Sequence, residues 1–334
     1  KYACLSHCWG PQGSPLQLNR GTVQTLRAGI ARERLPKTFR DATDICCKLG
    51  ISYLWIDALC ILQDDLEDWK DAAATMADIY EHAFITIGAT WSNDSNGGCF
   101  SRTRDQFKHH MLGDTGLYVR ETPPPFPFNG SFQRKEWPLL TRGWVFQERV
   151  LSPRVIHYAK DQILWECGAA LLTECGTRDR SVSDSVNPWD PLKFRRDDSR
   201  TSWRHLVESY SRLLLTKSDD RLPALAGLVE RQMERRQEDI YVAGMWKKSI
   251  LDDLAFYGHN EELKDYTVPT WSWAFFRSKL TFEAYERHTA LSLKDLTFTR
   301  MSPPHVGRVI DASITLKGPV IVGKVVDNDW LNMV

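Results

Sequence analysis

Apolar residues in the first half of the chain switch repeatedly between two spacings. Residues 2–8 (YACLSHC) form a continuous apolar run ended by Trp9-Gly10-Pro11, the pattern of a buried strand opening into a loop. Over residues 38–49, Phe39, Ala42, Ile45, Cys46 and Leu49 recur at helical spacing, and Gly50 stands where a helix C-terminus is capped. Residues 51–57 (ISYLWID) predict a second buried strand. Trp69, Ala72, Ala73, Met76, Ile79, Tyr80 and Ala83 trace one face of a helix, and residues 84–89 (FITIGA) a third strand. Strands alternating with amphipathic helices predict βαβ units, and uninterrupted apolar strands predict a parallel sheet covered on both faces.

The pattern then loosens. Residues 92–138 read as a long irregular excursion, with Asn-Gly-Gly and a triple proline. Residues 141–151 predict a helix with Thr141 at its N-cap and Pro153 beyond its end, and residues 155–158 and 162–167 two more strands. Residues 177–200 are polar and charged, a linker or loop, and 197–204 (DDSRTSWR) read as solvated. Helical patterns follow at 203–216, 223–236 and 241–256, then strand-like pieces at 313–316 and 320–326; Trp271 and Trp273 alternate as on a strand facing a core. The texture change gives two units, an α/β domain over 1–175 and a mixed helical and β-strand region over 176–334 packed on it. Lys1 opens inside an apparent strand and Val334 closes in ordinary sequence, as expected of a piece of a longer protein.

Composition narrows the classes. The 334 residues carry 43 Lys plus Arg against 43 Asp plus Glu, so no net charge favours nucleic acid or an anionic membrane. No run reaches the ~18 apolar residues of a membrane span, and no signal peptide is visible. The eight Cys sit mostly in apolar runs of a long chain, which reads as reduced, mostly buried thiols and a cytoplasmic protein rather than a disulfide framework. Cys4-x-x-x-Cys8 and the Cys167–Cys175 pair lack structural-zinc spacing, and no metal is expected. Cys60 reads as a buried thiol, His109-His110 as exposed. No phosphate-cradling glycine motif occurs. The 13 Trp are mostly core candidates, though flat ligands also use such side chains.

Three blocks carry a resemblance: LSHCWG at 5–10; LPKTFRDA at 35–42 running into LGISYLWIDALCILQDD at 49–65, with Asp68-Trp69; and LLTRGWVFQERVLSPRVIHY at 139–158, followed by LWEC at 164–167. SDDRLPALAGL at 218–228, YVAGMW at 241–246 and PTWSWA at 269–274 extend it over nearly the whole chain. In order and spacing these blocks resemble the fungal heterokaryon-incompatibility (HET) domain family. The resemblance implies a cell-death effector of fungal non-self recognition and innate immunity. It also implies a remote likeness to Toll/interleukin-1-receptor (TIR) domains, hence a TIR-like, flavodoxin-like parallel sheet flanked by helices. Some TIR domains hydrolyse NAD at the nicotinamide–ribose bond, so NAD is the implied substrate, with no separate cofactor.

The TIR enzymes place one glutamate on a helix after the third strand, in a Trp-Cys-x-x-Glu pattern. Here Trp144 and Glu148 keep that spacing, with Val145 in place of the cysteine. Positions i and i+4 share a helix face, so an indole would sit beside a carboxylate able to stabilise the cationic sugar. One carboxylate suffices, because nicotinamide leaves from a cationic pyridinium and needs no acid; an O-glycosidase needs a second group. Against this, Glu148 could be a partly exposed helix charge pairing with Arg149 or Arg142. Asp57 falls at the carboxyl end of the second strand, where open α/β sheets bind ligands; it could equally brace a loop. Gln63 and Asp64 follow in the same loop. Ser6, Trp9 and Gly10 follow the first strand, and Gly10 permits close backbone approach. Arg142 could grip a phosphate or form an ion pair. These residues are expected to converge on one cleft. The competing reading is a non-catalytic module that kills through self-association and partners, a NOD-like receptor among them. A different nucleotide-directed hydrolase would use the same crevice.

Overall fold

In the computed structural model, residues 1–127, 135–176, 180–181, 200–258, 268–276, 279–282, 291–300 and 309–319 are described. Seven strands form the main sheet: β1 (Tyr2–Ser6), β2 (Tyr53–Ile56), β3 (Ile85–Gly88), β4 (Arg154–Tyr158), β5 (Ile163–Cys167), β6 (Ala170–Thr173) and β7 (Arg180–Ser181), in the order β2-β1-β3-β4-β5-β6-β7. The pairs β1–β2, β1–β3 and β3–β4 are parallel, as the alternating pattern predicts. The pairs β4–β5, β5–β6 and β6–β7 are antiparallel. The expected parallel sheet is therefore mixed. The reason lies in the connections: β4, β5 and β6 are joined by short turns, and only a longer crossover can return a chain parallel to itself.

Helices cover both faces of the parallel half. Alternate residues of β1 point to opposite sides. Ala3 and Leu5 pack with Phe39, Ala42, Ile45 and Cys46 of α1 (Lys37–Lys48). Cys4 points the other way, into a core with Met76, Ala77 and Tyr80 of α2 (Leu66–Glu81) and Phe146, Val150 and Leu151 of α3 (Gly143–Leu151). α1 ends as its sequence suggests, with Gly50 at φ 65° following the last turn. Asp65 caps α2 by accepting from the Glu67 and Asp68 amides.

The second core continues past residue 175 without a seam. Trp203, Leu206, Val207 and Tyr210 of α4 (Arg200–Tyr210), Leu228 and Val229 of α5 (Ala226–Met233), and Trp246 and Trp273 belong to it. Gly227 lets α5 approach α2 closely, since a Cβ there would lie 2.4 Å from that of Ala77.

Several expectations for this half are corrected. Arg200 to Arg204 lie in α4 rather than a solvated loop: Trp203 is buried and Arg204 pairs with Asp253 at 2.9 Å; residues 197–199 lie outside the described residues. The helix expected over 241–256 begins as a short antiparallel pair, Tyr241–Val242 with Met245–Trp246, and becomes helical only in a 3₁₀ turn at Lys247–Ser249 that runs into the α-helical turn Ile250–Asp253. Ala243 and Gly244 turn at positive φ, which breaks a helix at its start. Trp273 is buried as expected but opens a 3₁₀ turn, its indole donating to the Gly244 carbonyl at 2.7 Å. Thr141 does not cap α3: its hydroxyl donates back to the Pro138 carbonyl at 2.7 Å, leaving Arg142 at the N-cap position. The strand expected at 313–316 lies within Val309–Lys317, paired with Ser292–Arg300; the one expected at 320–326 lies outside the described residues. All eight cysteines are free thiols, and Cys60, expected to be buried, is exposed. His109 and His110 are exposed. Among the described residues no helix is long and apolar enough to cross a membrane.

Candidate functional site

The carboxyl ends of β1 and β2 open into a cavity of about 850 Å³ roofed by the start of α3. This is the edge at which open α/β sheets hold ligands. Glu148 and Trp144, one turn apart on α3, both line it. The roll of α3 is set by its other side chains. Gln147 is fully buried, its amide nitrogen 3.4 Å from Met76 Sδ and its oxygen accepting from the Gly227 amide at 3.2 Å. Arg149 grips Glu166 of β5 through two 2.7 Å hydrogen bonds, and His157 Nε2 meets the same carboxylate at 2.9 Å. With its neighbours held on either side, Glu148 is turned toward β1.

Glu148 is neither exposed nor paired with Arg149, correcting that alternative. It is 7% exposed, and Ser6 Oγ donates to its Oε2 at 2.6 Å. Burial pushes its carboxyl up to about 7, from an ordinary 4.5; the Ser6 hydrogen bond opposes this, Asp57 adds to it, and Arg142 and Tyr80 oppose it. Near neutrality the group is thus poised between its charged and neutral forms.

Asp57 begins the helical turn after β2, where its Oδ1 accepts from the Ala58 amide at 2.7 Å. Its Oδ2 accepts from the Trp9 indole at 2.9 Å. The loops after two adjacent strands are thereby tied together at the cavity wall. Gly10 turns at φ 86° with Asp94 against it, where a Cβ would lie 2.7 Å from that of Asp94. Gln63 lines the cavity, but its amide nitrogen is spent on the Asp57 and Ile61 carbonyls (3.0 and 2.9 Å), a loop brace. Asp64 is not at the cavity: both carboxylate oxygens lie 3.0–3.1 Å from the Arg20 amide, away from the other site residues. Arg142 lines the cavity half-buried, and among the described residues its side chain has no ion-pair or hydrogen-bond partner. Trp144 donates its indole N–H to Asp220 at 3.1 Å and meets Trp69 edge to face, centroids 6.1 Å apart.

Sequence reasoning missed two parts of this site. His7, between Ser6 and Cys8, lines the cavity with both ring nitrogens buried and unpartnered, 3.8 Å from Asp57 Oδ1. Burial lowers its pKa, favouring the neutral ring; Asp57 opposes this and Arg142 adds to it. Its place inside a run read as a strand core hid it. The far wall, with Leu214, Leu215, Thr216, Lys217 and Asp220, comes from beyond the polar linker; Asp220 lies in the 218–228 block, but nothing in the sequence placed the wall at this cavity.

Fold and cavity define an α/β protein with a small-molecule-sized site at its strand ends, polar on one side and lined by Trp9, Trp69 and Trp144. Residues 2–148 match the family model of the heterokaryon incompatibility protein (HET), and this segment belongs to that family. The match points to a heterokaryon-incompatibility-related role for this segment. No curated protein and no solved structure matches it.

Proposed function

We propose that this chain is a cytoplasmic cell-death effector of fungal non-self recognition that hydrolyses NAD at the nicotinamide–ribose bond. The observation that carries this reading is Glu148: a buried carboxylate hydrogen-bonded to Ser6, in a cavity at the carboxyl ends of parallel strands. The sheet order 2-1-3-4 of the parallel half, shared with flavodoxin-like folds, supports the implied TIR kinship.

In the proposed reaction the C–N glycosidic bond breaks, and nicotinamide leaves neutral with the bonding electron pair. The positive charge left on the ribose is stabilised by ionised Glu148, a preorganised charge in a site shielded from water. Water adds to the anomeric carbon and loses a proton, giving ADP-ribose. Trp144 offers a flat apolar surface for the nicotinamide ring, and Ser6 holds the carboxylate in place. Trp9 and Asp57 shape the wall toward the ribose, and Arg142 holds phosphate. Activation is proposed to need self-association, driven by a NOD-like receptor or another incompatibility partner.

The test is free nicotinamide released from NAD by the full chain, assayed dilute and after enforced clustering. Glu148→Gln is expected to lower turnover about 10²–10³-fold with little change in affinity. No release by clustered wild type, or wild-type turnover by the variant, would exclude the reaction or the residue respectively; with killing retained, a partner-recruiting module takes its place.

A further inference from the structure

Residues 214–220, beyond the family-matched segment, are built onto the start of α3. The Leu214 amide donates to the Thr141 carbonyl and the Gly143 amide to the Leu214 carbonyl, both at 2.7 Å. Gly143 allows this approach, since a Cβ there would lie 2.5 Å from Leu215 Cδ2. Asp220 closes the segment's far end through the Trp144 indole. So seated, the segment brings Lys217 to the cavity that Arg142 lines.

The charges around this cavity are unevenly satisfied. Of its carboxylates, Asp57 holds the Trp9 indole, Asp220 that of Trp144, and Glu148 the Ser6 hydroxyl. Arg142 has no side-chain partner among the described residues, and Lys217, exposed on the rim, forms no ion pair there. A half-buried guanidinium with no carboxylate in hydrogen-bond or ion-pair contact among the described residues is costly unless an anion completes it. Its planar fork matches phosphate oxygens, and a lysine adds a mobile point charge.

We propose that Arg142 and Lys217 form a subsite for the diphosphate of a nucleotide, and that Lys217 makes the site prefer a diphosphate-bearing ligand over a bare nucleoside. This rests on the NAD reading for the identity of the nucleotide, but not for the subsite itself. The specificity of the site is then set partly by a segment outside the family-matched residues.

Titration calorimetry of the full chain with ADP, adenosine and inorganic pyrophosphate tests it without any cleavage. ADP is expected to bind about 10-fold or more tightly than adenosine, the advantage shrinking as salt rises. Lys217→Glu and Arg142→Ala should each remove most of that advantage while leaving adenosine binding unchanged, and Lys217→Arg should keep it. Lys217 is exposed, so an unaltered melting temperature is expected of its variants. ADP binding no tighter than adenosine, or an ADP advantage surviving Lys217→Glu, would overturn the subsite. Pyrophosphate binding as tightly as ADP would overturn its assignment to a nucleotide. The expected pattern without NAD cleavage leaves the subsite standing and removes only the cleavage reading.

Discussion

Ser6 and Glu148 stand 142 positions apart in the chain, yet the serine hydroxyl donates to the glutamate at 2.6 Å inside a buried site. The bond joins the end of the first strand to the middle of α3, and it favours the charged form of a carboxyl that burial pushes up to about 7.

Loss of that bond has a predictable effect on pH dependence. If ionised Glu148 does the chemistry, NAD cleavage by the wild type rises with pH through about 7. Ser6→Ala removes an interaction that lowers the pKa, so the rising limb should move to higher pH, with the plateau less affected than the rate at pH 6. Steady-state rates between pH 5 and 9 provide the measurement; an unmoved limb would dissociate the serine from the titration.

Glu148 also makes stability depend on pH in an unusual direction for a carboxylate. Folding raises its pKa from 4.5 to about 7, so the folded chain holds the proton more tightly than the unfolded one. Its contribution is fully present below pH 4.5 and is lost as pH rises through 7. The loss is at most about 3 kcal/mol. Glu148→Gln cannot titrate, so its stability relative to wild type should improve from pH 5 to pH 8. This replaces the near-neutral effect expected of an exposed glutamate. Urea midpoints of both proteins across that range decide it, parallel curves being the contrary result.

Glu166 predicts the opposite sign. Burial alone would raise its carboxyl, but Arg149 and His157 overcome it and hold the group at about 2. Its contribution is present above pH 4.5 and disappears as pH falls toward 2. Glu166→Gln should cost about 3–5 kcal/mol at pH 7, because it leaves the Arg149 charge half-buried without its partner. That penalty should shrink in acid; chemical denaturation at pH 7 and pH 3 compares the two, and an equal penalty at both would contradict it.

Local patterns carried the parallel half of the fold. The apolar runs around Cys4, Trp55 and Ile87 and the helix faces of α1 and α2 are set by neighbours close in sequence, which periodicity reports directly. Ser6, Trp9 and Asp57 were legible for the same reason, since Ser6 ends a recognisable strand and the other two follow one. The antiparallel half was not, because a strand's pattern does not say which way its partner runs. Asp64 was misplaced because loop direction is decided by the Arg20 amide it meets, a contact between segments far apart in sequence. The helix expected after 241 failed at Ala243, a non-glycine residue at φ 47° that tertiary packing holds in place. Arg142 and Glu148 could not be told from ordinary surface charges until their burial was known.

The close seating of α5 on α2 at Gly227 bears on the order in which the protein comes into being. A nascent chain emerges N-terminus first, so the segment with Ser6, Asp57 and Glu148 is made while α4 and α5 are still to come. Until they arrive, Met76, Tyr80 and Phe146 have nothing from beyond residue 200 to pack on, and the wall bearing Lys217 does not exist. Synthesis thus delivers the carboxylate early and the enclosure late, and the cavity is complete only once the later helices have docked.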